Sequence, residues 1–190
     1  MSHLHDRIIE ISKKHGLSHL GSCLTAVDII DEIYYGKEDD EPFILSSGHA
    51  GLALYVVLEK YYGYDAEALY LKHGVHPNRD LGDKIYCSTG SLGQGITIAL
   101  GMAMATDKNV HCLISDGEAY EGTIWEVGNV IDRYGIKNLK LYCNYNGWSA
   151  YHAVYPNFIK RLEAIIPVKV YETNVEDYNL EGISAHYVKL

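Results

Sequence analysis

The stretch "NVHCLISDGEAYEGTIWEVGNVI", residues 109–131, joins an apolar run to a segment of helical period through a turn crowded with carboxylates. Val110–Ser115 has the apolar, β-rich character of a buried strand, and 122–135 repeats its apolar residues at helical spacing. A second strand-like run, "LKLYCNYN" at 139–146, follows. Strand, helix, strand over this length is the unit from which parallel sheets are built. The same alternation extends outward. "FILSS" at 43–47 reads as a strand feeding a helix over 49–62, "GSLGQG" at 90–95 opens a helix, and "VKVYET" at 168–173 is a late strand. Helices are expected over 3–15 and 24–35. The pattern predicts an α/β fold, a parallel sheet with helices on both faces, as one domain over 1–190.

Composition excludes several classes. The net charge of −9, with no Lys/Arg cluster, argues against nucleic acid or an anionic membrane as partner. No apolar run is long enough to span a bilayer, and the first residues carry no secretory pattern. Four cysteines stand apart without a CxxC, and Cys112 and Cys143 sit inside apolar runs as small hydrophobes do. The expectation is a reduced, cytoplasmic protein.

Ligands of open parallel sheets bind beyond the carboxyl ends of the strands. Ser46, Asp116 and Asn146 all fall there. Thirty positions separate Asp116 from Asn146, room for one helix between neighbouring strands. A carboxylate and a carboxamide at adjacent strand ends offer hard oxygen ligands, the kind that hold Mg²⁺ (or Ca²⁺). Asp116 alone would read equally as a cap on the following helix. Gly117 frees the backbone to approach a phosphate.

Five motifs carry a resemblance. "SDGEAYEGTIWE…CNYNGWS" (115–126 and 143–149) is similar to the thiamine diphosphate signature, a Gly-Asp-Gly turn followed at a distance by Asn. "SHLGSCLTAVDIIDEIYYG" (18–36), "FILSSGHAGLALYVVL" (43–58), "GVHP" (74–77) and "STGSLGQGITIALGMAMA" (88–105) narrow the match, and the chain resembles the transketolases. The resemblance implies Mg²⁺ held by the side chains of Asp116 and Asn146 and the backbone carbonyl of Trp148. It implies a diphosphate contacted by His49 and passed closely by Gly117, with Gly90 and Leu92 bordering the cofactor. His19 and His76 match histidines of the substrate channel, and Glu121 and Glu126 the paired glutamates at a subunit interface near the aminopyrimidine. Glu118 is expected to face solvent. His3, His5, His15, His73, His111, His152 and His186 match no role and are expected to be surface or structural.

Two departures accompany the match. Ser115 stands where the signature has its first Gly, a position Ser can take if no positive φ is needed. Only 44 residues, 147–190, follow Asn146, too few for the pyrimidine-binding domain that transketolases carry. The expectation is therefore a shortened diphosphate-binding subunit that works with a separate pyrimidine-domain subunit, in an α2β2 assembly, transferring a two-carbon ketol unit from a ketose to an aldehyde. A 1-deoxyxylulose-5-phosphate-synthase-like or 2-oxo-acid enzyme subunit is an alternative, disfavoured by "SSGHAGLALY" and "GVHP"; a degenerate, non-catalytic subunit is another.

Overall fold

The computed structural model describes residues 2–187. Among them, four strands form one sheet in the order β1 (Phe43–Leu45), β2 (Val110–Ser115), β3 (Leu139–Tyr145) and β4 (Val168–Glu172), every pair parallel. The strands alternate their side chains between two cores. Phe43, Leu45 and Leu113 face one side, packed with α1 (His3–His15), α2 (Leu20–Gly36), α3 (Gly51–Tyr62) and α4 (Ala66–His73). Ile44, Cys112 and Ile114 face the other, packed with α5 (Gln94–Met104), α6 (Gly122–Tyr134) and α7 (Pro156–Ile165). Both faces are thus covered, as the near-continuous apolar run of β2 required: all six of its residues are buried.

Most expected elements stand within a residue or two of their reading. The exception is α2, which begins at Leu20, four residues earlier than its apolar period suggested. "LGSC" reads as a loop by its small residues, yet Gly21 is where this helix meets the chain's end. A Cβ there would lie 2.8 Å from the Cβ of Ala185. α4 and α7 escaped the periodicity reading altogether. α4 spans eight residues and is set by its cap, Asp65, whose carboxylate accepts from the Glu67 and Ala68 amides. α7 starts on Pro156 at its first turn, where proline lacks nothing the helix needs.

All four cysteines are free and buried. No helix among the described residues is long and apolar enough to cross a membrane. His5, His73 and His111 are buried and bonded, each a structural residue. His111 joins Glu41 (2.9 Å) and Tyr142 (3.0 Å) at the end of the sheet opposite Asp116. The side chain of His186 lies outside the described ones.

Candidate active site

The ladder between β2 and β3 pairs Ser115 with Asn144 and continues one step further, where the Asp116 amide donates to the Asn144 carbonyl at 3.0 Å. That step fixes Asp116 and Asn146 at neighbouring strand ends, as their spacing predicted. Asp116 is fully buried. Its Oδ1 accepts from the Gly117 amide (2.9 Å) and its Oδ2 from the Gly147 amide (2.8 Å), which ties the turn after β2 to the loop after β3. Asn146 Oδ1 accepts from the Trp148 amide at 3.0 Å. Gly117 presses against the same loop: a Cβ on it would stand 3.1 Å from Ser149 Cα and 3.7 Å from the Trp148 carbonyl oxygen. Burial pushes the Asp116 carboxyl up to about 7, against the opposing pull of the Gly147 and Gly117 amides.

Above this turn opens a cavity of about 280 Å³. His19, His49 and His76 line it, brought from three separate segments. His19 caps the start of α2 in the left-handed conformation (φ 64°), and its ring lies 5.3 Å from that of His49, centroid to centroid. The His76 ring packs on Gly90, where a Cβ would meet its Cδ2 at 2.7 Å; Gly90 has φ +137°, so both space and backbone demand glycine. Gly90, Leu92, Gly117, Glu121, Asn146 and Trp148 complete the expected wall. Two expected residues are not on it. Asp116 is fully buried and does not line the cavity, although its neighbours Ser115 and Gly117 do. Glu126 is exposed on α6 and does not line the cavity, while Glu121 lines it at the start of that helix. Of the two glutamates, Glu121 alone lines the cavity.

One expectation changes. Glu118 does not face solvent: it is fully buried and lines the cavity, with Oε1 accepting from Ser46 Oγ (2.6 Å) and the Gly93 amide (2.7 Å). Burial lifts its carboxyl to about 7. His152 is exposed, as expected of a surface residue. It lines the cavity mouth and packs edge-on against Tyr120 (4.8 Å between centroids), which stacks on Phe158 at 4.0 Å. Ser115 meets the condition set for it, having no positive φ, and its Oγ accepts from the Glu118 amide at 3.1 Å. Sequence held a signal for Glu118, namely a carboxylate two residues past the strand-end Asp, with a Gly-rich helix start elsewhere in need of an acceptor.

A family model described as "Transketolase, thiamine diphosphate binding domain" matches residues 31–150. The chain belongs to the transketolase family. The matched region holds every expected site residue except His19. Among curated relatives, the chain is 30% identical over 156 residues to the 6-deoxy-6-sulfo-D-fructose transketolase subunit SqwG of Clostridium sp. (strain MSTE9), covering 70% of this chain and 56% of that protein. It is 30% identical over 155 residues to an apulose-4-phosphate transketolase subunit of Phocaeicola vulgatus, covering 70% and 54%. It is 34% identical over 156 residues to human transketolase, covering 69% and 24%. The match thus spans about half the length of the two subunits and about a quarter of the full-length enzyme. A crystal structure of transketolase from Campylobacter jejuni shares the fold, with a TM-score of 0.70 at 22% identity over 89% of this chain and 36% of that one.

The residues present fit the family's cofactor. Asp116, Asn146 and the Trp148 carbonyl would offer only oxygen donors, the kind suited to Mg²⁺ or Ca²⁺. The fully buried Asp116 carboxylate, its pKa raised, is held only by backbone amides among the described residues, and a cation would compensate its charge. Gly90 and Gly117 present backbone, with no side chain, to the cavity.

Proposed function

We propose that this chain is the thiamine diphosphate- and Mg²⁺-binding subunit of a transketolase-like enzyme that moves a two-carbon ketol unit from a ketose to an aldehyde acceptor. It supplies the diphosphate-binding domain, and a separate pyrimidine-domain subunit completes the site in an α2β2 assembly. The observation that carries this reading is the convergence of Asp116, Asn146 and the Trp148 loop beneath a cavity walled by His19, His49 and His76. Two relatives bearing the name of transketolase subunits support the division of labour, and their names point to sugars or sugar derivatives as substrates.

Within this reading each residue has a task. Asp116 and Asn146 hold the cation, with the Trp148 carbonyl as a third ligand. His49 donates to the diphosphate, and Gly117, Gly90 and Leu92 shape the backbone around it. The cofactor, when bound, supplies the cleavage and re-formation of the carbon–carbon bond. His19 and His76 donate to sugar hydroxyls and carry protons at the cavity mouth. Glu121 and Glu126 face the partner subunit.

Titration calorimetry tests this. Thiamine diphosphate with Mg²⁺ is expected to bind the mixture of this chain and its pyrimidine-domain partner, and ketose-to-aldehyde transfer to need both proteins. A mixture that binds no cofactor, or transfer by this chain alone, overturns the reading.

A further inference from the structure

Glu118 is a buried acid with no part in the proposed reaction. It sits in the single turn Glu118–Tyr120, directly after Asp116 and Gly117. One oxygen, Oε1, takes two donors from different segments: Ser46 Oγ at 2.6 Å, just past β1, and the Gly93 amide at 2.7 Å, at the entrance to α5. Ser46 Oγ in turn accepts from the Ile96 amide in the first turn of α5, at 3.0 Å. The backbone amide of Glu118 is held by Ser115 Oγ at 3.1 Å. The other oxygen, Oε2, is buried and meets no donor among the described residues.

One carboxylate therefore joins three segments that border the cavity. These are the stretch leading to His49, the loop carrying Gly90 and Leu92, and the turn carrying Asp116 and Gly117. A helix start suits an anion, and at the start of α5 the Gly93 amide already donates to an internal one. A charge-assisted bond to a carboxylate is about twice as strong as a neutral one.

We propose that Glu118 is a positioning residue of the cofactor site. It clamps the Gly93 loop and the Ser46–His49 segment onto the Asp116 turn, so that the binding surface is set before the cofactor arrives. Ser115, in place of the signature's Gly, locks the clamp by holding its backbone. This rests on the proposed cofactor site, and the two can fail separately.

The test uses Glu118→Met, close in volume but without an acceptor, and Glu118→Gln, which keeps one. In the cofactor-free full chain, amide exchange at Gly93 is expected to speed up at least about tenfold in Glu118→Met, the equivalent of about 1.4 kcal/mol. Amides inside β2 and β3 should keep their wild-type rates. In the complex with the partner subunit, half-saturation by thiamine diphosphate should rise about tenfold or more, and Glu118→Gln should recover most of both effects. If Glu118→Met does not fold, Ser46→Ala, which removes one donor and leaves the carboxylate, is expected to shift both readouts the same way. Unchanged Gly93 exchange, or faster exchange with unchanged half-saturation, overturns the clamp while the cofactor site stands. A wild-type complex that binds no thiamine diphosphate overturns both.

Discussion

Replacing Asp116 by asparagine is expected to weaken binding of Mg²⁺ and thiamine diphosphate to the complete complex by at least about 100-fold, while leaving the cofactor-free chain as stable as wild type or more so at pH 8. Residues that only orient metal ligands are worth about 10–100-fold in affinity, so loss of the charged ligand itself sets the lower bound. The gain in stability follows from burial. Asp116 is fully buried, and its carboxyl is raised to about 7 from an ordinary value of 3.8. A raised acid binds its proton more tightly in the folded state. Its contribution to stability is complete below about pH 4 and is lost as pH rises through about 7. At pH 8 the ionised side chain then costs the fold on the order of 4 kcal/mol. Asparagine removes that charge and gives up one of two backbone bonds, to the Gly117 or the Gly147 amide, worth about 1 kcal/mol. Urea denaturation in chelator at pH 5 and pH 8 checks the sign: wild type should lose stability between them, and the variant should lose less. A variant less stable than wild type at pH 8 would refute the argument, as would undiminished cofactor binding.

Where sequence succeeded, the chemistry was local. The spacing of Asp116 and Asn146 is a property of one strand–helix–strand unit, and the β2–β3 register needs nothing from elsewhere in the chain. The unbroken apolar runs of β2 and of the first two turns of α3 likewise mark them as buried all round, and the period of α5 marks its covered face. Where sequence failed, the deciding partner lay far off. Glu118 looked like a solvent-side acid because acids in turns usually are, but its donors come from Ser46 and Gly93, 72 and 25 positions away. The start of α2 was hidden because "LGSC" is loop-like until Ala185 packs on Gly21. His152, exposed as expected, lies in the short turn between Trp148 and Ala153, and its place on the cavity wall carries no motif. Ser115 lay between these cases. Its tolerance was readable from backbone geometry, whereas its bond to the Glu118 amide required the turn itself.

Two glycines on one helix should give opposite results. Gly95 and Gly101 both lie within α5, and alanine is the better helix former by about 1 kcal/mol at such positions. At Gly101 a Cβ meets nothing within 4 Å, so Gly101→Ala is expected to stabilise the chain by about 0.5–1 kcal/mol. At Gly95 the same atom would stand 2.6 Å from Ser46 Cα, 2.6 Å from its Oγ and 2.8 Å from its Cβ. The nearest of these atoms is backbone, and the Ser46 amide is held by the Leu113 carbonyl at 2.9 Å, so no rotamer change relieves the contact. The helix must instead lift from the end of β1. Overpacking of this kind costs about 1–3 kcal/mol, occasionally more, and it outweighs the helical gain. The loss reaches the site, because the bonds from Ile96 to Ser46 and from Gly93 to Glu118 cross the same gap. Gly95→Ala is therefore expected to lower the urea midpoint and to weaken thiamine diphosphate binding together, while Gly101→Ala raises the midpoint. If both substitutions moved the midpoint the same way, helix propensity and not the close approach of α5 to Ser46 would govern this helix, and the packing that sets the Gly93 loop would have to be reconsidered.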